Sequence, residues 1–366
     1  MIVIFLVSFE SVFAHQLTGG PYQKAKVTDI TAQTTGPAPD SEILTQQLEI
    51  LLPDGSTTSN VYNGYVPVKP GQTVYVGEGL SLPDDPVGYY VQEVDRMASA
   101  LAVFVLFLFF YVLMTGLKGL RSLLGLAMAI VIVAFVLIPA LIAGYDPLPI
   151  SLLISSAVLA CAIFVTHGFS VIALASFAGS MLAIGCTVVF GHVAVWLTDL
   201  SSSVGHEANA LAAAYAGGID LQGLFLAAMI IGILGVLDDV AVMQAAMVRE
   251  FMHEKKYTAR EVFTKAMIVG REHAAALVNT LVLAYVAVSL PLLMSVFAPG
   301  GVGIPFTMRL SSELFVAEFV RSITGSFGLV MTIPLVTLIA LFLYRRYPNA
   351  LEQERHTASA HAGHHH

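Results

Sequence analysis

From residue 98 to residue 343 the chain is a succession of long apolar runs broken by short polar loops. A bilayer core takes about 20 residues of helix to cross. Lipid offers no hydrogen bonds, so a spanning segment of this kind must satisfy its own backbone as a helix. Seven such runs can be marked out, at 98–117, 123–144, 149–166, 170–196, 223–247, 274–297 and 323–343. The expected fold class is an all-α polytopic membrane protein whose seven transmembrane helices form one domain, 98–344. Hydrophobic residues make up 57% of the chain and charged residues 11%, against about a quarter charged in soluble domains. The lipid bilayer is therefore the first partner. The net charge of -8 carries no message about nucleic acid, and none is expected to bind. Cys161 and Cys186 each sit inside an apolar span and are expected to be buried free thiols; they are too few for a thiolate metal site.

The ends read differently. Residues 1–14 are apolar but short for a span, and Glu10 interrupts them, so they are either a degenerate signal sequence or a clipped anchor helix. Residues 22–86 alternate as short strands, with a Pro53-Asp54-Gly55 turn. They predict a small β-barrel-like domain of the SH3 or OB kind, marginal in size and expected to lean on the membrane part or on a copy of itself. Residues 345–366 form a polar tail whose final histidines read as a tag remnant rather than a metal site.

Basic residues set the orientation. Lys118 and Arg121 follow span one, Arg249 to Arg271 lie between spans five and six, and Arg345 and Arg346 follow span seven. All three clusters fall on one side, hence the cytoplasm. The β domain is then extracytoplasmic and the C-terminus cytoplasmic.

The chemistry concentrates in spans five and six. Asp238 and Asp239 lie within ~5 Å of the middle of span five at 1.5 Å per residue. A carboxylate there costs on the order of 2.5–3.5 kcal/mol and is a functional candidate by default. Two adjacent carboxylates in a low dielectric repel, so one is expected to hold a proton at neutral pH. Asp239 shares a helix face with Gly235, Gly232 and Ala228, a small-residue stripe where another helix can approach closely. Asp238 points about 100° away. Span six runs antiparallel, which brings Asn279 and Thr280 to the depth of Asp239 as expected partners. The alternative is a polar clamp between helices with no transport role.

Thr258-Ala-Arg-Glu261 fits a capping box, so a helix should start there, read as an interfacial amphipathic helix feeding span six. Arg271, Glu272 and His273 sit at the membrane boundary as gate or anchoring residues. Glu318 and Arg321 are spaced i,i+3 for an ion pair in a segment read as an outer interfacial helix. His206-Glu207 lacks the second histidine of a zinc protease motif. No phosphate loop, nucleophile elbow or metal cluster appears, so neither an enzyme nor a cofactor is expected.

Several of these residues together resemble the YibE/F family of bacterial multi-span membrane proteins. They are Gly235-Val-Leu-Asp238-Asp239-Val-Ala, Gly270-Arg271-Glu272, Asn279-Thr-Leu-Val-Leu-Ala-Tyr285, Ser289-Leu-Pro291-Leu-Leu, and Glu318 through Arg321 to Gly325-Ser-Phe-Gly328-Leu. The resemblance runs from the β domain through span seven. It implies a bacterial cytoplasmic-membrane protein with Asp239 at the family position, Asp238 standing where relatives usually carry an apolar residue. Val286-Ala-Val288 stands where glycines are usual. Span five alone is similar to the proton-relay helices of RND-type transporters. The function expected is a secondary transporter or exporter of a small-molecule, lipid or peptide substrate, coupled to a proton or cation. A non-transporting receptor or assembly scaffold using the β domain is the alternative, and an intramembrane hydrolase a distant third. A homodimer is the expected assembly.

Overall fold

In a computed structural model the chain is described over residues 22–35, 44–63, 67–78, 88–201, 220–254, 256–297 and 304–348. The leader-like segment 1–14, the His206-Glu207 pair and the end of the tail lie outside the described residues. The chain divides into two compact units, Met1–Arg121 and Ser122–His366.

The first unit contains strands β1 (Tyr22–Thr35), β2 (Leu44–Leu51), β3 (Thr57–Asn63), β4 (Thr73–Glu78) and β5 (Tyr89–Val94). They close a barrel in the order β1-β2-β3-β5-β4. Only β3 and β5 run parallel, and a five-stranded closure of this order is of the OB rather than the SH3 kind. Alternation puts Val27, Leu48, Ile50, Val61, Val74, Val76 and Val91 inside. Among the described residues two inward ones are polar, Gln46 and Asn63. Gln46 accepts from the Val68 backbone N–H at 2.9 Å and from Asn63 Nδ2 at 2.9 Å, and donates to the Val68 carbonyl at 3.2 Å. The expected turn is present, with Gly55 at φ 85° and Ser56 N–H donating to Asp54 Oδ1 at 2.9 Å.

Helix α1 (Met97–Ile132) follows at once, but Gly116 at φ 64° and ψ -161° breaks it. Such a backbone is open to glycine at little cost. The break separates span one (Met97–Gly116) from span two (Leu123–Ile142). Span two contains a π turn over Val133–Leu137 and ends in α2 (Ile138–Ile142). Pro139 lacks the N–H that would reach Phe135, and the wider turn absorbs the mismatch.

The remaining helices are α3 (Pro147–His167), α4 (Val171–Thr198), α5 (Leu221–His253), α6 (Ala259–Val288), α7 (Leu290–Phe297), α8 (Phe306–Leu310) and α9 (Glu313–Arg346). Seven helical segments among the described residues are long and apolar enough to cross a membrane. Their starts carry the caps the sequence supplies: Asp146, Ser170 and Asp220 accept from the first turn, and Thr258 with Glu261 forms the full capping box. The His167-Gly168-Phe169 hairpin turns on Gly168 at φ 65°.

Three expectations change here. The segment after Thr258 is the first part of α6, and its Val262 and Ala266 are buried with Ala241, Ala245 and Tyr344. It packs inside the bundle instead of forming a separate interfacial helix. Likewise Glu313 to Arg321 is the opening of α9, not a separate outer helix. Cys186 is half-buried and Cys161 exposed, so the second is no core thiol. Helix α5 packs on α3, α4, α6 and α9 and is the centre of the bundle.

Candidate functional site

Helix α5 buries Leu226, Met229, Ile230, Ile233, Leu237, Val240 and Ala241. Asp238 follows Leu237 at the border of this face and is half-buried. Its Oδ1 is buried and has no hydrogen-bond partner among the described residues. Asp239, about 100° further round the helix, is exposed. The carboxylate drawn into the bundle is thus Asp238, the reverse of the assignment that the small-residue stripe suggested.

The stripe itself faces outward. Ala228, Gly232 and Gly235 are exposed with Asp239. A Cβ on Gly235 would meet nothing within 4 Å, and one on Gly232 only the Tyr285 hydroxyl at 3.0 Å. The close approaches are made by other glycines. A Cβ on Gly179 of α4 would lie 2.8 Å from the Val336 Cα of α9, one on Gly328 of α9 would lie 2.3 Å from Thr187 Oγ1, and one on Gly270 of α6 would lie 2.6 Å from Ile333. Lipid-embedded helices gain from such approaches through dispersion, since water expulsion contributes little there.

Asn279 and Thr280 are exposed, and the Thr280 hydroxyl donates to the Ala276 carbonyl at 3.0 Å in its own helix. Leu277 and Val278 face inward instead, in one cluster with Val236 and Val240 of α5. Gln244 of α5 meets Ala266 and Gly270 of α6, and Gly232 meets Tyr285, so Asn279 lies about one helical turn along from the level of Asp239, on the outward side of α6. No hydrogen bond joins the two residues within the chain.

Two polar nodes tie α5, α6 and α9 together on either side of this level. Gln244, almost fully buried, donates through Nε2 to the Ala266 carbonyl at 3.1 Å and to Thr337 Oγ1 at 2.8 Å. Towards the other end, Arg321 Nη1 pairs with Glu318 Oε1, as the spacing predicted. The Ser289 hydroxyl donates to Glu318 Oε2 at 3.3 Å, and the Arg321 guanidinium lies 5.1 Å from the Phe225 ring centre. This clasp joins the α6–α7 break to α9 and to the first turns of α5. Arg271 and Glu272 are exposed and His273 half-buried, apart from both nodes.

Sequence reasoning missed Gln244 and Ser289. The signal for Gln244 was a carboxamide inside an apolar span, as visible as Asp238 but without formal charge. Ser289 falls inside the expected span 274–297, and its role shows only once α6 is seen to stop at Val288. Among the described residues no three His, Cys, Asp or Glu side chains group as a metal site. The chemical capacity of the site is one half-buried carboxylate free to take up a proton or cation, held between two fixed polar nodes.

No curated protein and no solved structure matches this chain. The family described as YibE/F-like protein matches residues 103–346, leaving the barrel outside the matched stretch. That match takes in all but the first residues of the helical part, and with it both carboxylates, both polar nodes and every close-packing glycine named above. The chain belongs to the YibE/F-like family of multi-helix membrane proteins.

Proposed function

We propose that this protein is a secondary transporter or exporter driven by a proton or cation, with Asp238 as the carrier. The barrel lies outside the cytoplasmic membrane of a bacterium and the C-terminus inside. The observation that carries this reading is the buried, unpartnered Oδ1 of Asp238 in the middle of an apolar helix. A carboxylate kept at that depth without a partner is costly, and such groups mark ion and proton pathways. Asp239 one residue on raises the cost of holding both charges, which favours proton uptake by one of them. The substrate class is a small molecule, lipid or peptide.

The test is proton flux into liposomes carrying the purified chain, read with an internal pH-sensitive dye under an imposed potential. Asp238→Asn is expected to lower the flux about tenfold or more, since it removes the proton-carrying group, while Asp238→Glu retains part of it. Equal flux in all three proteins overturns the reading.

A receptor or scaffold role is the second reading, and one feature of the barrel favours it. Tyr62, Tyr90 and Tyr22 are exposed and lie in one row, Tyr62 beside Tyr90 and both Tyr90 and Tyr22 beside Gly77. Exposed aromatic rows serve in recognition. Deleting residues 22–86 separates the readings: flux that survives the deletion favours transport by the helices, and no flux in any form of the protein favours the scaffold.

A further inference from the structure

Asp239 and Asn279 are exposed side chains on two neighbouring spans, within about one helical turn of each other in depth. Neither has a hydrogen-bond partner within the chain among the described residues. Facing hydrocarbon, a carboxylate there is worth on the order of 2.5–3.5 kcal/mol of cost, and a primary amide loses its hydrogen bonds as well. Such groups face a protein neighbour or water. We infer that this face is covered by a second copy of the same chain, with Asp239 of each copy accepting a hydrogen bond from Asn279 of the other.

The chemistry of the face selects that occupant. Asp239 on α5 is an acceptor when ionised, and Asn279 beside it on α6 carries two N–H donors. A two-fold axis between the helix pairs would set residue 239 of one copy against 279 of the other, and 279 against 239. One surface thus supplies both halves of the pair. The backbone of α5 is also bare where a partner would approach. Gly235, one turn from Asp239, would have its Cβ in open space, and bare glycine in a span permits close helix contact. The pair expected from the sequence is therefore kept but moved between chains. This does not depend on whether Asp238 carries a proton.

The experiment uses the full chain in native membranes, with Cys161 and Cys186 replaced by serine to remove background thiols. Asp239→Cys with one epitope tag and Asn279→Cys with another are co-expressed and treated with copper phenanthroline. A disulfide-linked species that carries both tags, and that is lost when either cysteine is omitted, is the expected result. Absence of that species, with both proteins folded by gel filtration, overturns the inference. Light scattering on the unaltered chain in nanodiscs provides a readout that needs no variant. The inference expects twice the 39.0 kDa chain mass, and a single chain mass overturns it. Gly235→Leu is expected to shift the unaltered dimer to monomer while leaving the monomer folded, since its side chain enters open space.

Discussion

Gln244 shows how one uncharged side chain can hold three helices in register. Its amide spans α5, α6 and α9, and removing it leaves the Thr337 hydroxyl with only the Ile333 carbonyl of its own helix as partner. Gln244→Ala is expected to destabilise the bundle by about 1–2 kcal/mol, combining a lost interhelical hydrogen bond in lipid with a packing void; unfolding in graded detergent denaturation measures it. Thr258→Ala removes the side-chain half of the capping box at the start of α6, the bond from the Glu261 N–H, at a cost of about 1 kcal/mol. The same assay should show it, while Thr264→Ala, on an exposed position, is close to neutral. At this scale the sequence announced charge well and environment poorly. Asp238 and Asp239 were visible as two buried-type carboxylates, and their divergence by 100° follows from helix geometry alone. Which of them enters the bundle depends on where α3, α4 and α9 stand around α5, and no local pattern carries that.

Elements were legible to within a few residues where lipid dictates them. Spans one to four end close to where apolar runs and caps place them. Spans six and seven start earlier than the apolar runs, because the first turns of α6 and α9 are amphipathic and yet packed against neighbours; polarity there masked burial. Span six also stops short of residue 297, at Val288, where α7 begins as a separate helix. The glycine stripe misled for a related reason. Spacing by three and four identifies a smooth face, but not whether a neighbour occupies it. Gly179 and Gly235 separate the two cases. Gly179→Ala drives a Cβ to 2.8 Å from the backbone of Val336 and is expected to cost about 1–3 kcal/mol. Gly235→Ala should leave the melting temperature of detergent-solubilised monomer unchanged. At the joint between β5 and α1, Asp95 accepts from Lys24 at 2.7 Å and from the Met97 N–H at 3.1 Å. The Lys24 ammonium, and after it the Met97 N–H, hold the Asp95 carboxyl below its ordinary value of 3.8. That contribution is therefore full above the ordinary value and is lost as pH falls through the depressed one. The hydrogen bond to Asp95 likewise raises Lys24 above 10.5, so the pair persists until pH rises past that raised value. Asp95→Ala should lower the melting temperature of the barrel at pH 7, followed by circular dichroism, and the difference should shrink as pH is lowered below 3.8.

At the scale of the whole molecule, composition and the seven apolar runs fixed the class, and alternation with a Pro-Asp-Gly turn fixed the barrel. The choice of OB over SH3 closure needed the parallel β3–β5 pairing, a contact between strands separated by β4 that leaves no trace in either strand. The contact of α4 with α9 carries a consequence for how the protein is made. Gly191 lies against Thr324, Phe190 stacks on Phe327 at 4.3 Å, Thr187 meets Gly328, and Gly179 meets Val336. These partners lie more than a hundred residues apart in the chain. During synthesis α4 enters the membrane long before α9 exists, and its glycine-bearing side stays unfilled until the final helix arrives. The last span is thus the keystone of biogenesis. A chain stopped before Glu313 keeps six apolar helices but presents that vacant groove to quality-control proteases, and pulse-chase labelling should show it cleared faster than a chain stopped after Tyr347.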